Sequence, residues 1–367
     1  MKLPSINPNP DYKRFVNIIR GEIKPKNPTF AELFLDEENV RLISEEAFGR
    51  TWMPRTEDDL TQRAKYWDNT IEVYHALGYD YVRVTGSPSM GYVSKNRPLG
   101  RPDQSGKLRV WTEEGAGIIE TRADFEAYSW PKVRDIDIWD CEYVSTHLPK
   151  GMGMVICPSS GFLEVVMNDL MGYTNLCFAL IEDRDLVSDI FDAVGECILR
   201  YYEKMTSLGL PNLFGFFQGD DMGYKNGTLI PPEDTKLFSL KWHKSLAELA
   251  HKNDLLYILH SCGQLEDIME DLITDVKIDA KHSFEDEITP VTDFHKKYGS
   301  RIGVLGGIDL DKLCRYEEPE LRKYVRGVLD VCMPIGRYAL GSGNSVANYV
   351  PLRNFFIMLE EGINYSL

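Results

Sequence analysis

The chain reads as an α/β protein, a single (β/α)8 TIM barrel over residues 1–367, on three observations. Eight short β-prone apolar runs occur, most of them followed by a segment with helical spacing, and such alternation builds parallel sheets. From the fourth run onward the strand candidates lead into glycines and chemistry-bearing side chains, the place where barrels of this class carry their sites. No glycine-rich dinucleotide fingerprint follows the first run, which weakens the competing doubly wound open sheet.

Residues 11–22 space Tyr12, Phe15, Val16 and Ile19 as one helical face with Gly21 as a stop, an N-terminal extension ahead of the barrel. Pro28–Leu35 is the first strand candidate, and a helix over about 57–77 stops at Gly78 before a second strand at Tyr79–Thr85. Residues 88–150 break the rhythm. Turn chemistry at Pro98–Gly106, with Leu108–Thr112 and Gly117–Thr121 as a hairpin, predicts an insertion folded over the barrel rim. Strand three is Met152–Cys157, followed by helices at roughly 161–171 and 184–208. Strand four, Asn212–Phe217, runs into Gln218-Gly-Asp-Asp-Met-Gly223 and a helix from Pro232 to about His251. Strand five is Leu255-Leu-Tyr-Ile-Leu-His-Ser-Cys-Gly263, with a helical pattern beginning at Gln264. Strands six, seven and eight are Ile278–Phe284, Arg301–Leu305 and Arg337–Leu340, with helices at 317–330 and from Pro351.

A net charge of −16 and a pI near 5.0 argue against nucleic acid or an anionic membrane as the main partner. The seven cysteines form no CxxC pair, the pattern of reduced thiols in a cytoplasmic protein. No signal-peptide core and no apolar run of membrane-spanning length is evident, so a soluble protein is expected.

Strand five is the centre of the functional reading. Positions i and i+2 of a strand share a face, so His260 and Cys262 converge at its carboxyl end, and imidazole with thiol is a metal-ligand pairing. The competing reading is a satisfied histidine beside a small buried thiol. Other strand ends add Asp220 and Asp221, which also read as caps, His282 and Glu285, and the glycine-rich loops Gly306–Asp309 and Gly341–Ser345 with Asn344. Phe216, Phe217 and Tyr224 are candidates to pack a substrate ring, with core packing as the alternative.

These residues resemble the uroporphyrinogen decarboxylase-like superfamily, which includes corrinoid-dependent methyltransferases. The likeness runs from Arg14–Glu22 to Pro351–Asn354 and is strongest at His260-Ser-Cys-Gly263, Gly306-Gly-Ile-Asp309 and the strand-eight loop. The decarboxylases' Arg-Gln-Ala-Gly-Arg motif has no counterpart in residues 28–36, which lack arginine, and this argues against porphyrinogen decarboxylation. The methyltransferase branch implies zinc held by His260, Cys262 and a later acid, matched by Glu285, 23 residues beyond Cys262. Ser342 stands at the place of that branch's distant cysteine ligand, and one thiolate fewer makes the metal a better Lewis acid.

The resemblance therefore implies a methyltransferase that demethylates a small donor, an aromatic methyl ether by preference. The acceptor is the corrinoid of a separate partner protein, because no Asp-x-His-x-x-Gly motif is present. His260, Asp220, Asp221 and Glu285 are the expected catalytic residues, with Phe216, Tyr224, His282 and Asn344 around the substrate, and a homodimer is one expected assembly. Two alternatives stay open: a cofactor-free lyase of the decarboxylase type anchored by Asp220 or Asp221, and a phosphate-ligand barrel using the loops after strands seven and eight.

Overall fold

The computed structural model describes residues 1–85, 96–98, 110–112, 117–132, 137–157 and 160–367. Eight parallel strands form the barrel: β1 Thr29–Phe30, β2 Tyr81–Thr85, β3 Gly153–Cys157, β4 Leu213–Gly219, β5 Leu256–His260, β6 Ala280–His282, β7 Gly303–Leu305 and β8 Tyr338–Leu340. Their hydrogen-bonded order is β1-β8-β7-β6-β5-β4-β3-β2, the (β/α)8 order with the ladder open between β1 and β2. Side chains bridge that seam: Tyr81 Oη donates to Glu32 O at 3.0 Å, and Thr29 Oγ1 donates to Asp80.

Alternation along the strands separates two cores. The inner one holds Ala31, Leu33, Tyr81, Val155, Phe214, Phe217, Leu256, Ile258, Ala280, Leu305 and Ala339. Helix Tyr12–Ile19 closes its amino-terminal end, burying Phe15, Ile18 and Ile19. Phe15 meets Tyr81 edge-on at 5.3 Å, and Tyr12 stacks on Phe214 at 5.6 Å. The N-terminal helix is thus the floor of the barrel. The larger outer core lies between strands and helices.

A register shift lies between β3 and β4 at Met154/Val155, where Leu213 and then Gly215 are the partners. Such a bulge flips the side-chain parity of the strand. Phe214 and Phe217 consequently point inward while Phe216 turns outward, its ring 4.2 Å from that of Tyr202.

The strands and the helices following them lie close to the predicted spans. The region 88–150 falls largely outside the described residues. Within it, Val110–Thr112 pairs antiparallel with Asn96–Pro98. The predicted partner, 117–121, instead runs without strand structure, Ile118 N and Ile119 N donating to Leu170 O. Helix Trp139–His147 packs against β2 and β3 as a crossover helix. Helices Glu37–Phe48, Tyr173–Glu182 and Val291–Tyr298, with the shorter Arg122–Ala127 and Leu310–Arg315, lie outside the expected elements. Among the described residues, no helix is long and apolar enough to cross a membrane.

Candidate functional site

The carboxyl ends of the strands enclose a cavity of about 460 Å³, lined by Leu33, Phe34, Arg83, Thr85, Cys157, Ser160, Glu164, Gly219, Asp221, His260 and Asn344. Every barrel layer below it is apolar, so the polar residues of the strand ends meet at this mouth. His260 is the last residue of β5 and shares its inward face with Leu256 and Ile258. Cys262 follows in a loop turned by Gly263 at φ +80°, where a Cβ would meet the backbone of Gly223.

Asp221, His260 and Cys262 bring one oxygen, one nitrogen and one sulfur within 4.8 Å of each other. His260 Nε2 is 3.6 Å from Cys262 Sγ and 3.6 Å from Asp221 Oδ1. Ligands of a tetrahedral zinc, at about 2.0–2.3 Å from the metal, stand roughly 3.3–3.8 Å apart. The spacing fits.

A second histidine holds the His260 ring. His260 Nδ1 lies 2.8 Å from Nδ1 of His282, and the two rings stack with centroids 5.0 Å apart. Burial keeps both neutral, His282 down to about 3 and His260 well below its ordinary range. One Nδ1 must donate and the other accept. If His260 donates, its Nε2 lone pair faces the cavity, the usual arrangement of a metal-binding histidine.

The remaining partners set the charge balance. Cys262 N donates to Asp221 Oδ1 at 2.8 Å, Asn344 Nδ2 donates to Cys262 Sγ at 3.2 Å, and Ser283 Oγ lies 3.4 Å from that sulfur. Burial and the neighbouring Asp221 push the Cys262 thiol up to about 12. Burial, with Asp221 and Asp220 nearby, pushes Glu164 up to about 8, and burial also raises Asp221. A cation held here would offset this concentration of buried acids and favour the thiolate of Cys262. Behind the Cys262 loop, the buried Lys281 donates to Ser283 O at 2.6 Å and Ser261 O at 3.4 Å.

Several predicted residues stand elsewhere. Asp220 is fully buried and faces away from the cavity. It accepts from Leu163 N, Glu164 N, Ser239 Oγ and His243 Nε2, so its oxygens are committed to joining the elements around β4. Glu285 is exposed and borders a separate cavity with Gln264 and Phe294, so Asp221 takes the acidic place assigned to it. Ser342 is buried and bonded to Glu32 through both its amide, at 2.7 Å, and its hydroxyl. It is Asn344, two residues on, that reaches the Cys262 sulfur. Phe216 belongs to the outer core because of the bulge, and Tyr224 is 68% exposed on a small hairpin outside the cavity lining. His282 and Asn344 do stand at the site, His282 behind His260 rather than against a substrate.

Arg83, Glu164 and Phe34 were not anticipated. Arg83 could have been found from parity, since Tyr81, Arg83 and Thr85 share the inward face of β2. Glu164 carries no comparable signal, because its place depends on the fold of the loop after β3.

A model of the uroporphyrinogen decarboxylase (URO-D) family matches residues 152–365, more than half of the chain, including β3 to β8 and the triad. The chain belongs to the URO-D family. Among solved structures, a methyltransferase from Methanosarcina mazei is similar over 97% of this chain and 99% of its own, at 16% identity and a TM-score of 0.67. A putative vitamin-B12 independent methionine synthase from Listeria monocytogenes is similar over 93% and 96%, at 12% identity and a TM-score of 0.50. At these identities the likeness establishes the barrel. A search of curated proteins gives no match. The expected superfamily and the (β/α)8 barrel are therefore both borne out.

Proposed function

We propose that this URO-D family protein is a methyltransferase that removes a methyl group from a small donor and passes it to the corrinoid of a separate protein. The observation that carries this reading is the Asp221–His260–Cys262 triad at the mouth of the barrel, in which both donors beside His260 stand at the spacing of a tetrahedral metal's ligands. The similarity of the whole barrel to a protein described as a methyltransferase supports it.

These three side chains would hold zinc, which supplies Lewis acidity toward the donor's leaving atom. His282 fixes the His260 ring, Asn344 donates to the Cys262 sulfur, and Cys262 N anchors Asp221. Glu164 lines the same cavity and burial keeps its proton on at neutral pH, so it is placed to protonate a departing oxygen. A methyl ether of an aromatic alcohol fits this arrangement. A phenolate leaves an ether only when its developing charge is neutralised, and Phe34 offers a ring face in the cavity wall.

The test begins with metal content. Protein purified without chelators should carry about one zinc per chain, and His260→Ala or Cys262→Ala should lose it, whereas Glu285→Gln should retain it. Reduced corrinoid protein and a panel of methoxylated aromatics, methylamines and methyl thioethers should then give loss of the cobalt(I) absorbance with the ethers. Turnover without corrinoid would point instead to a lyase, and wild-type protein without metal would remove the basis of the reading.

A further inference from the structure

Among the described residues, Arg83 has no ion-pair or hydrogen-bond partner. Its side chain rises from the inward face of β2 into the barrel-mouth cavity, on the wall lined by Phe34 and Thr85. Its guanidinium makes no ion pair or hydrogen bond among the described residues; its one close partner is the Phe34 ring, 5.6 Å from Cζ. The Nε atom is buried and without a partner. Other partly buried arginines of the chain are served differently: Arg55 and Arg63 share Asp140, while Arg322 holds Glu318, Glu360 and Glu361.

Arg83 is half-buried, with only its Nε fully shut off from water; a partly desolvated guanidinium without an anion is costly, and its planar fork matches a carboxylate. The acids of the same cavity do not answer it. Asp221 is engaged by the Cys262 amide, and Glu164 by the Gly161 amide. The cavity therefore has two chemical ends: the triad on β5 and its neighbouring loop, and an unpaired cation on β2, with β3 and β4 between them in the sheet.

We propose that Arg83 recognises a carboxylate on the substrate, so that the methyl donor is a methoxylated aromatic acid rather than a neutral ether. This assignment rests on the methyltransferase reading for the donor's methyl group, but the carboxylate subsite is defined by Arg83 alone. The ring lies beside Phe34, with the acid toward β2 and the methoxy group toward His260. Arg83 acts as a specificity residue and takes no part in bond breaking.

Calorimetry with benzoate and the neutral benzamide separates the two assignments, because neither probe has a methyl group to lose. Wild-type protein should bind benzoate more tightly than benzamide, with the preference shrinking as salt is raised. Arg83→Met should weaken benzoate roughly 10- to 100-fold, the scale of a charge-assisted hydrogen bond, and Arg83→Lys should recover part of the loss. In the turnover assay, the kcat/KM ratio of methoxybenzoates over methoxybenzenes should fall by a similar factor in Arg83→Met, mainly through KM. Equal wild-type affinity for the two probes would overturn the proposal without any variant, and so would benzoate binding unchanged in Arg83→Met. Benzoate binding that depends on Arg83, with no methyl transfer from any methoxybenzoate, would keep the carboxylate site and reject the methyltransferase reading. Release of carbon dioxide would then identify the lyase.

Discussion

Glu32 shows how much electrostatic work a single residue does beside the cavity. It sits just past β1, fully buried, and its contacts are the amide and hydroxyl of Ser342. Burial outweighs those hydrogen bonds and pushes its carboxyl up to about 8. Because the folded state holds this proton more tightly than the unfolded chain, the stabilisation is full below about 4.5 and is lost as pH rises through about 8. Glu32→Gln cannot titrate. The stability difference between wild type and variant, from urea unfolding at pH 5.5 and 8, should shift by on the order of a few kcal/mol in favour of the variant at the higher pH. Equal shifts in both proteins would mean Glu32 is ionised throughout. The same pair explains why Ser342 is a poor stand-in for a thiolate, so Ser342→Cys should leave zinc affinity unchanged in a chelator competition. Lys281→Met, which removes the ammonium bracing the carbonyls of Ser261 and Ser283 beside Cys262, should lower it on the order of 10-fold.

At the scale of elements, the strands were legible because each is a short apolar run closed by glycine or a polar end, and the convergence of His260 and Cys262 at the end of β5 was readable by parity. What sequence could not show was where parity breaks. The shift at Met154/Val155 moves Phe216 to the outer core, and nothing local to Leu213–Gly219 announces it. Helix Glu37–Phe48 was readable in principle, with two glutamates in its first turn and Gly49 in the left-handed region at its end. The expected acidic partner of His260 stands elsewhere for a different reason. A spacing of 23 residues pointed to Glu285, whereas the partner of His260 lies one strand earlier, on a loop that only the sheet order brings alongside. Helix Arg184–Ser207 carries a further testable detail. A Cβ at Gly195 would stand 2.0 Å from the Trp242 ring. Gly195→Ala gains about 1 kcal/mol of helix propensity, yet overpacking should exceed that gain and lower the melting temperature. A rise would show that the two helices can separate at little cost.

Among the described residues, the barrel is asymmetric along its axis: apolar and plugged below, polar above. The plug is a helix outside the eightfold alternation, read from the sequence as an extension and found as the floor. Phe15 is its centre, against Tyr81 and Phe214. Phe15→Ala should cost about 3–5 kcal/mol in urea unfolding. Zinc affinity should change far less, since the triad lies at the opposite end.

The plug also has a consequence for the order of assembly. Residues 12–19 leave the ribosome early, but the surface they cover comes from strands that reach to residue 339, and Tyr12 N bonds to Gly151 O. The helix therefore has no complete seat until the strands through residue 339 have been made. Contacts of such sequence separation close late and slowly. Until then the apolar face of Phe15, Ile18 and Ile19 lacks part of its cover, so stoppering of the cylinder falls late in assembly.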